Sequence, residues 1–177
     1  MERPQEVPVV VTPSLVLRGH GRDDLDAAAA MWADPDVTRF IGGKPSSREE
    51  AWGRILRYRG LWALLGYGYW LIETRTDGRF VGEVGFAQFE RDLTPSFGGA
   101  PEAGWALAPW AHGHGWASEA VAAALAWSDQ HLPDRRTVCM ISLQNAASIR
   151  VAERCGYAPY ADMLYKNEPT RLFERRA

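Results

Sequence analysis

Apolar positions along the chain alternate in some stretches and recur at helical spacing in others. The alternation predicts strands over residues 14–19, 69–74, 79–89, 102–107, 136–143, 157–164 and 170–175. The helical spacing, with Asp, Ser or Asn before most of these stretches, predicts helices over residues 23–32, 47–58, 117–130 and 145–155. Strands interleaved with helices in this order predict an α/β fold with a mixed sheet.

The length predicts one domain. A chain of 177 residues can bury most of its apolar surface unaided, and no repeat or linker divides it. The first residues lack the long apolar run of a signal peptide, so we expect a loose leader over residues 1–13 and the domain over residues 14–177.

Charge and cysteine content exclude several classes of protein. The formal net charge of -2 argues against a general nucleic-acid binder, and no apolar stretch is long enough to span a membrane. The two cysteines form no disulfide framework. Cys139 and Cys155 fall at apolar positions and are predicted to be reduced core residues, with a catalytic thiol as the less favoured alternative. A cytoplasmic protein is expected.

A glycine-containing turn links the strand at 102–107 to the helix at 117–130. The segment from Trp110 to Ala120 reads Trp-Ala-His-Gly-His-Gly-Trp-Ala-Ser-Glu-Ala. A strand, a glycine turn and a helix N-terminus place several backbone N–H groups together at the positive end of a helix dipole, which suits a phosphate. A P-loop is excluded because no Lys follows the glycines, and a dinucleotide fingerprint is disfavoured because Ser118 stands where a third Gly or Ala belongs.

The same segment resembles the pyrophosphate loop of the GNAT N-acetyltransferases, whose pattern is Gln/Arg-x-x-Gly-x-Gly/Ala. Gly113 and Gly115 match the glycines, whereas Trp110 replaces the usual first residue. The longer string resembles the RimJ/RimL-like branch, which acetylates the N-termini of ribosomal proteins. This resemblance implies a single GNAT-type domain with a mixed, mostly antiparallel sheet. The sheet would be splayed between the strands at 102–107 and 136–143, with helices on both faces.

Two further segments extend the resemblance over most of the chain. Residues 145–157 resemble the second GNAT hallmark, an Asn-capped helix that ends in Gly followed by an aromatic residue. Asn145 is a favourable N-cap, and Gly156 suits the left-handed position after a helix. Residues 31–51 resemble the first two helices of RimJ/RimL-like enzymes. Taken singly, either hallmark could be an ordinary capped helix.

The resemblance also implies where acetyl-CoA would bind. The residues that it assigns to the co-substrate are Leu107, His112, Gly113, His114, Gly115, Trp116, Ala117, Ser118, Asn145 and Ser148. The backbone N–H of Leu107 would stabilise the acetyl oxygen. His112 and His114 would lie beside the pyrophosphate, and a metal site is not expected there because the chain offers too few further ligands. Acceptor contacts would come from residues 37–44 and 92–101.

Acetyl transfer to an amine requires that the amine lose a proton. A lysine amine titrates at about pH 10.4 and an α-amine at about 8, so a general base matters more for the first. Glu102 is the first candidate, because the family often places a carboxylate on this strand, and an exposed acid at the strand end is the alternative. Glu83 is the second candidate.

The departing thiolate must gain a proton. Many GNAT enzymes use a tyrosine on the second hallmark helix, but Ala152 occupies that position. RimJ/RimL-like enzymes are thought to use a serine, which here is Ser148. The alternative is a polar residue that bonds the backbone in the first turn of its helix.

These observations predict an acetyl-CoA-dependent N-acetyltransferase that moves an acetyl group directly to a primary amine. The acceptor, a protein N-terminus or a small amine, is open, and the protein is a monomer or a homodimer. Neither a nucleic acid nor a membrane is an expected partner. The alternatives are a non-catalytic acyl-CoA-binding module and, less favoured, a nucleotide-binding protein.

Overall fold

The computed structural model describes residues 6–133 and 135–177. Eight strands and five α-helices are present in the described residues. The strands are β1 (Val10–Val11), β2 (Leu15–Arg18), β3 (Tyr69–Thr74), β4 (Phe80–Ala87), β5 (Glu102–Leu107), β6 (Arg136–Ser142), β7 (Ala158–Tyr165) and β8 (Glu168–Arg176). The helices are α1 (Leu25–Trp32), α2 (Pro35–Thr38), α3 (Arg48–Leu65), α4 (Trp116–His131) and α5 (Ala146–Arg154).

The strands form one mixed sheet in the order β1-β2-β3-β4-β5-β6-β8-β7. Neighbours are antiparallel except for β5 and β6, which are parallel. Glu102 opposite Val138 is the single paired position between β5 and β6 in the described residues, so the two strands diverge beyond it. The predicted α/β fold and the predicted splay of the sheet are confirmed.

Helices cover the two faces of the sheet. On one face Trp32 of α1 packs with Ala106 of β5, and Tyr58 of α3 packs with Tyr69 of β3. On the other face the apolar side of α4 packs against β4 and β5 in the largest core cluster, which Ala152 of α5 also joins.

Helix α3 extends further than the sequence indicates. Ser47 and Glu50 form a capping box at its start, in which each side chain bonds the other residue's backbone N–H. The sequence predicts an end near residue 58, but the helix continues through Gly60 to Leu65. Gly66 ends it with a φ of 74° and donates its N–H to the Trp62 carbonyl.

Part of the predicted leader is folded into the domain. Val10–Val11 pairs with β2, and Val7 is buried in the main core cluster. Trp70 also donates its indole N–H to the Pro8 carbonyl at 2.8 Å. The expectation of a loose segment through residue 13 is therefore wrong for these residues, because tertiary packing anchors a stretch whose local sequence is weakly patterned. Residues 1–5 lie outside the described part.

In the described residues, no helix is both long enough and apolar enough to cross a bilayer.

Candidate active site

The turn between β5 and α4 presents unbonded backbone N–H groups at the start of a helix. Gly113 and Gly115 have φ angles of 82° and 76°, and a Cβ at either would meet no atom within 4 Å. The α4 ladder begins with the N–H of Glu119, which donates to the Gly115 carbonyl at 3.1 Å. The N–H groups of residues 116–118 therefore have no acceptor within the helix. With the helix dipole they make an open cradle that fits a pyrophosphate.

Two histidines hold this turn in place. Nε2 of His112 lies 3.2 Å from the Leu107 carbonyl oxygen, and Nδ1 of His114 lies 3.2 Å from the Ala111 carbonyl oxygen. Because a carbonyl only accepts, each of these nitrogens carries a proton and donates it. The His114 ring also stacks on Trp116, with 4.3 Å between the ring centroids. Both imidazoles therefore brace the backbone of this turn.

The splay leaves backbone N–H groups of β5 without a strand partner. Ala108 donates its N–H to the Val81 carbonyl at 2.8 Å, and Leu107 is opposite Gly82 in the ladder between β4 and β5. Bonded and non-bonded pairs alternate in an antiparallel ladder, so the N–H of Leu107 points away from β4 and into the splay. The same alternation directs the N–H of Trp105 into the splay.

A cleft of about 760 Å³ adjoins the splay. Helix α3, the connection between α2 and α3 and the start of α5 form part of its wall. Strands β3, β4, β5 and β6 and the turn between β7 and β8 also contribute. Glu102, Asn145 and Ser148 line it, and Glu83 lines it from β4. Leu107 and the glycine turn before α4 lie outside it. Residues 103–106 of β5 are therefore the link between the turn and the cleft.

The acceptor segments expected from the family are only partly at the cleft. Residues 39–43, within the first predicted segment, line it. None of residues 92–101 does, although Phe89 and Arg91, which precede that loop, are part of the wall.

Glu102 is buried and ion-paired. Its side chain is 8% exposed, and its two oxygens accept from Nε and Nη2 of Arg91 at 2.7 and 3.0 Å. Arg91 donates a third hydrogen bond from Nη1 to the Tyr165 hydroxyl at 2.8 Å. Burial raises the pKa of the Glu102 carboxyl above its ordinary value, and Arg91 opposes that rise. The alternative that Glu102 is an exposed strand-end acid is wrong.

Glu83 lies deeper and is held by N–H donors. It is 1% exposed and accepts from the indole N–H of Trp32 at 3.0 Å and from Nε2 of His20 at 3.2 Å. Nδ1 of His20 is buried and has no hydrogen-bond partner. Because a carboxylate oxygen only accepts, Nε2 of His20 carries the proton of this hydrogen bond.

The start of α5 faces the cleft. Oδ1 of Asn145 accepts the backbone N–H of Ser148 at 3.2 Å, so Asn145 caps the helix as predicted. Ser148 lines the cleft. Ala152 is fully buried in the core, so no side chain reaches the cleft from the position of the family's tyrosine. Burial raises the pKa of both cysteine thiols, and neither forms a disulfide. A raised thiol pKa disfavours a nucleophilic cysteine.

Several residues of the cleft were not singled out by the sequence. Arg54 and Arg57 lie three residues apart on α3, a spacing that places them on one helix face and could have been read as a charged side. Arg91 and Tyr165 are distant in the chain, and no local pattern joins them. Tyr69 also lines the cleft, and its ring stacks on that of Tyr58 with 4.4 Å between the centroids.

Comparisons with known proteins identify the family of this chain. The family described as Acetyltransferase (GNAT) domain matches residues 14–158. A solved GNAT-family acetyltransferase from Bordetella pertussis is 32% identical, with a TM-score of 0.84 over 95% of this chain and 99% of that one. The uncharacterised protein YkkB of Bacillus subtilis is 28% identical over 162 residues, 88% of each chain.

A more distant solved structure has the same fold. It is the acetyltransferase from Salmonella typhimurium that modifies the N-terminal serine of a ribosomal subunit protein. It is 18% identical, with a TM-score of 0.79 over 96% of this chain and 99% of that one. Together with the family match over most of the sequence, these findings show that the chain belongs to the GNAT acetyltransferases, which take their acetyl group from acetyl-CoA.

Proposed function

We propose that this enzyme transfers the acetyl group of acetyl-CoA directly to a primary amine bound in the cleft, as a RimJ/RimL-like N-acetyltransferase. The observation that carries the proposal is that β5 joins an open anion-binding turn to a cleft with two buried carboxylates, Glu83 and Glu102, in its wall. The amine belongs to a protein N-terminus or to a small molecule.

The turn from His112 to Ser118 binds the pyrophosphate of the co-substrate. Gly113 and Gly115 leave space for its oxygens, and the free N–H groups at the start of α4 donate to them. Acetyl-CoA supplies the acetyl thioester. A ligand anchored at the turn and extended along the splay passes the N–H groups of Leu107 and Trp105, which become donors to its acyl-bearing arm.

The proton of the amine goes to a carboxylate. Glu102 is our first candidate because it lines the cleft from β5, the strand along which the arm extends from the turn. Its raised pKa also brings its basicity closer to neutral pH, which favours a general base. Glu83 is the second candidate.

Ser148 protonates the leaving thiolate from the start of α5. It lines the same cleft as Glu102, and its backbone N–H, not its hydroxyl, donates to Oδ1 of Asn145, which leaves the hydroxyl for this role. The demand on this group is modest, because a thiol titrates at about pH 8.5 and its thiolate is a tolerable leaving group.

Two measurements test the proposal. Acetyl-CoA at a hundred times its dissociation constant should stabilise the protein by about 2.7 kcal/mol, seen as a rise in melting temperature. Thiol release should then depend on an added amine, and mass spectrometry should show that amine 42 Da heavier, about the mass of an acetyl group replacing hydrogen. Stabilisation by acetyl-CoA without thiol release from any amine would instead identify the non-catalytic acyl-CoA-binding module.

A further inference from the structure

We propose that the acceptor amine carries an anionic group, such as a carboxylate, which binds to the guanidinium groups of Arg54 and Arg57 in the cleft wall. This inference rests on the proposed acetyl transfer and names the class of its acceptor. It is drawn from the charge balance of the cleft. Five cationic side chains line it, against three carboxylates, although the whole chain has a formal net charge of -2.

Two of the cleft carboxylates are already engaged. Both oxygens of Glu102 accept from Arg91, and Glu83 accepts from Trp32 and His20. Arg91 in turn directs its remaining hydrogen bond to Tyr165. The charge of Arg91 is therefore matched within the protein.

Arg54 and Arg57 have no such partner. None of the ion pairs or side-chain hydrogen bonds among the described residues involves either one. On α3 the natural partner of Arg54 is Glu50, one turn earlier. The Glu50 carboxylate instead accepts the Ser47 N–H at 2.7 Å in the capping box. Arg57 has Gly53 and Leu61 at the corresponding positions, so it has no acidic neighbour along the helix.

The guanidinium groups of both arginines lie over the faces of aromatic rings. The guanidinium carbon of Arg54 lies 3.8 Å from the centroid of the Trp32 ring, and that of Arg57 lies 5.3 Å from the Phe89 centroid. A guanidinium over a ring keeps its N–H donors, which lie in its own plane, free for an anion. The side chains are thus positioned, and their hydrogen-bonding capacity is unused.

The arginines are connected to the site of proton removal. Trp32 carries Arg54 on its ring and donates its indole N–H to Glu83, while Phe89 lies against both Arg57 and Arg91, the partner of Glu102. Each buried carboxylate is therefore close to one of the free guanidinium groups. An acceptor whose amine and anionic group are a few bonds apart places the amine at a carboxylate and the anionic group at a guanidinium. A polyamine would instead bring further positive charge against Arg54 and Arg57.

The experiment compares matched amines under acetyl-CoA saturation. L-phenylalanine and 2-phenylethylamine differ only in the carboxylate, and spermidine represents a polycation. A second pair consists of two amidated peptides, one beginning Ser-Asp-Glu and the other Ser-Asn-Gln. This pair tests whether the anionic group belongs to side chains near a protein N-terminus. Thiol release gives kcat/KM for each at a pH where both members of a pair are largely deprotonated.

In at least one pair we expect kcat/KM for the anionic member to exceed that for the uncharged member by about tenfold or more, because hydrogen bonds to charged groups commonly have such effects. The ratio of the two kcat/KM values should fall towards one in Arg54→Gln and Arg57→Gln, and kcat/KM for the uncharged member should change little. Arg59→Gln, on the same helix but outside the cleft wall, should retain the full preference. The pair that responds distinguishes a free carboxylated amine from an acidic peptide.

Preference for spermidine or for the uncharged members would overturn this inference and leave acetyl transfer intact. A preference for the anion that survives in both glutamine variants would also overturn it. Absence of thiol release with every amine would contradict the proposed function itself, and this inference would fall with it.

Discussion

Glu83 and Glu102 lie on the same face of the sheet, on adjacent strands, and are separated by four positions of the ladder. Glu83 is opposite Ala106, and Glu102 is opposite Ala87, so the two carboxylates are roughly 13 Å apart along the strands. Gly85 and Gly104 are opposite each other between them. A side chain at Gly104 would collide with the Tyr69 hydroxyl, so the glycine makes room for that hydroxyl between the two carboxylates.

The first prediction separates the two carboxylates as bases. If Glu102 takes the amine proton, Glu102→Gln should lower kcat/KM at pH 7 by about a hundredfold or more. The loss should shrink as the pH approaches the pKa of the amine, because free amine is then supplied by the solvent. Acetyl-CoA affinity should barely change. Steady-state kinetics from pH 6 to 10, with the melting temperature of each variant, provide the measurement.

Glu83→Gln is measured beside it. Glu174→Gln, which replaces an ion-paired carboxylate outside the cleft wall, is the matched control and should retain activity. Full activity of Glu102→Gln at pH 7 with a large loss in Glu83→Gln would move the role to Glu83. Full activity in both would indicate an acceptor that needs no base.

A second prediction concerns the pH dependence set by Arg91. Burial raises the pKa of Glu102 and the Arg91 guanidinium opposes the rise, so Arg91→Met should raise that pKa further. The carboxyl then stays protonated to a higher pH, and the acidic limb of the kcat/KM profile should move to higher pH. Arg91→Lys, which keeps a positive charge but loses the bidentate geometry, should shift the limb in the same direction by less.

Arg171→Met is the control for this shift. Arg171 makes a similar bidentate pair with Asp162, at 2.6 and 2.8 Å, but on an exposed part of the sheet. Its removal should leave the profile unchanged. An acidic limb that stays in place in Arg91→Met would show that Glu102 is not the group that titrates in the reaction.

The third prediction tests the phosphate turn. Gly115→Val places a branched side chain where φ is 76° and where the cradle must stay open, so acetyl-CoA should no longer raise the melting temperature. Gly78→Val is the matched control, since Gly78 also has a positive φ, 67°, and open space around it. Both variants bear comparable backbone strain, but only the first should lose acetyl-CoA. Normal affinity in Gly115→Val would mean that the pyrophosphate binds elsewhere.

The fourth prediction concerns Ser148. Ser148→Ala should lower kcat by about tenfold at pH 7, less than the usual effect of a general acid, because the thiolate leaves readily. The loss should disappear as the pH rises through about 8.5, where thiolate no longer needs a proton. Ser142→Ala, another serine in the cleft wall, serves as the comparison and should have little effect. A loss that is independent of pH would assign Ser148 to binding rather than to proton transfer.

Local sequence patterns defined the elements whose ends are fixed by local chemistry. The strand at 102–107 and the capped helix that begins after Asn145 are found where they were predicted, because alternation and capping act over a few residues. The turn with Gly113 and Gly115 was identifiable for the same reason. Helix α3 extends beyond its predicted end because its packing on β3 outweighs a single glycine.

The sequence by itself therefore determined the order of strands and helices, the glycine turn before α4 and a short set of candidate acids. Only the tertiary structure decided the environment of each acid: Arg91 reaches Glu102 from a loop, and Trp32 and His20 enclose Glu83 across more than fifty residues of chain. It also decided that Arg54 and Arg57 face the cleft with no ion-pair partner among the described residues. Pairing and burial depend on contacts between distant segments, which the periodicity of any one segment does not encode.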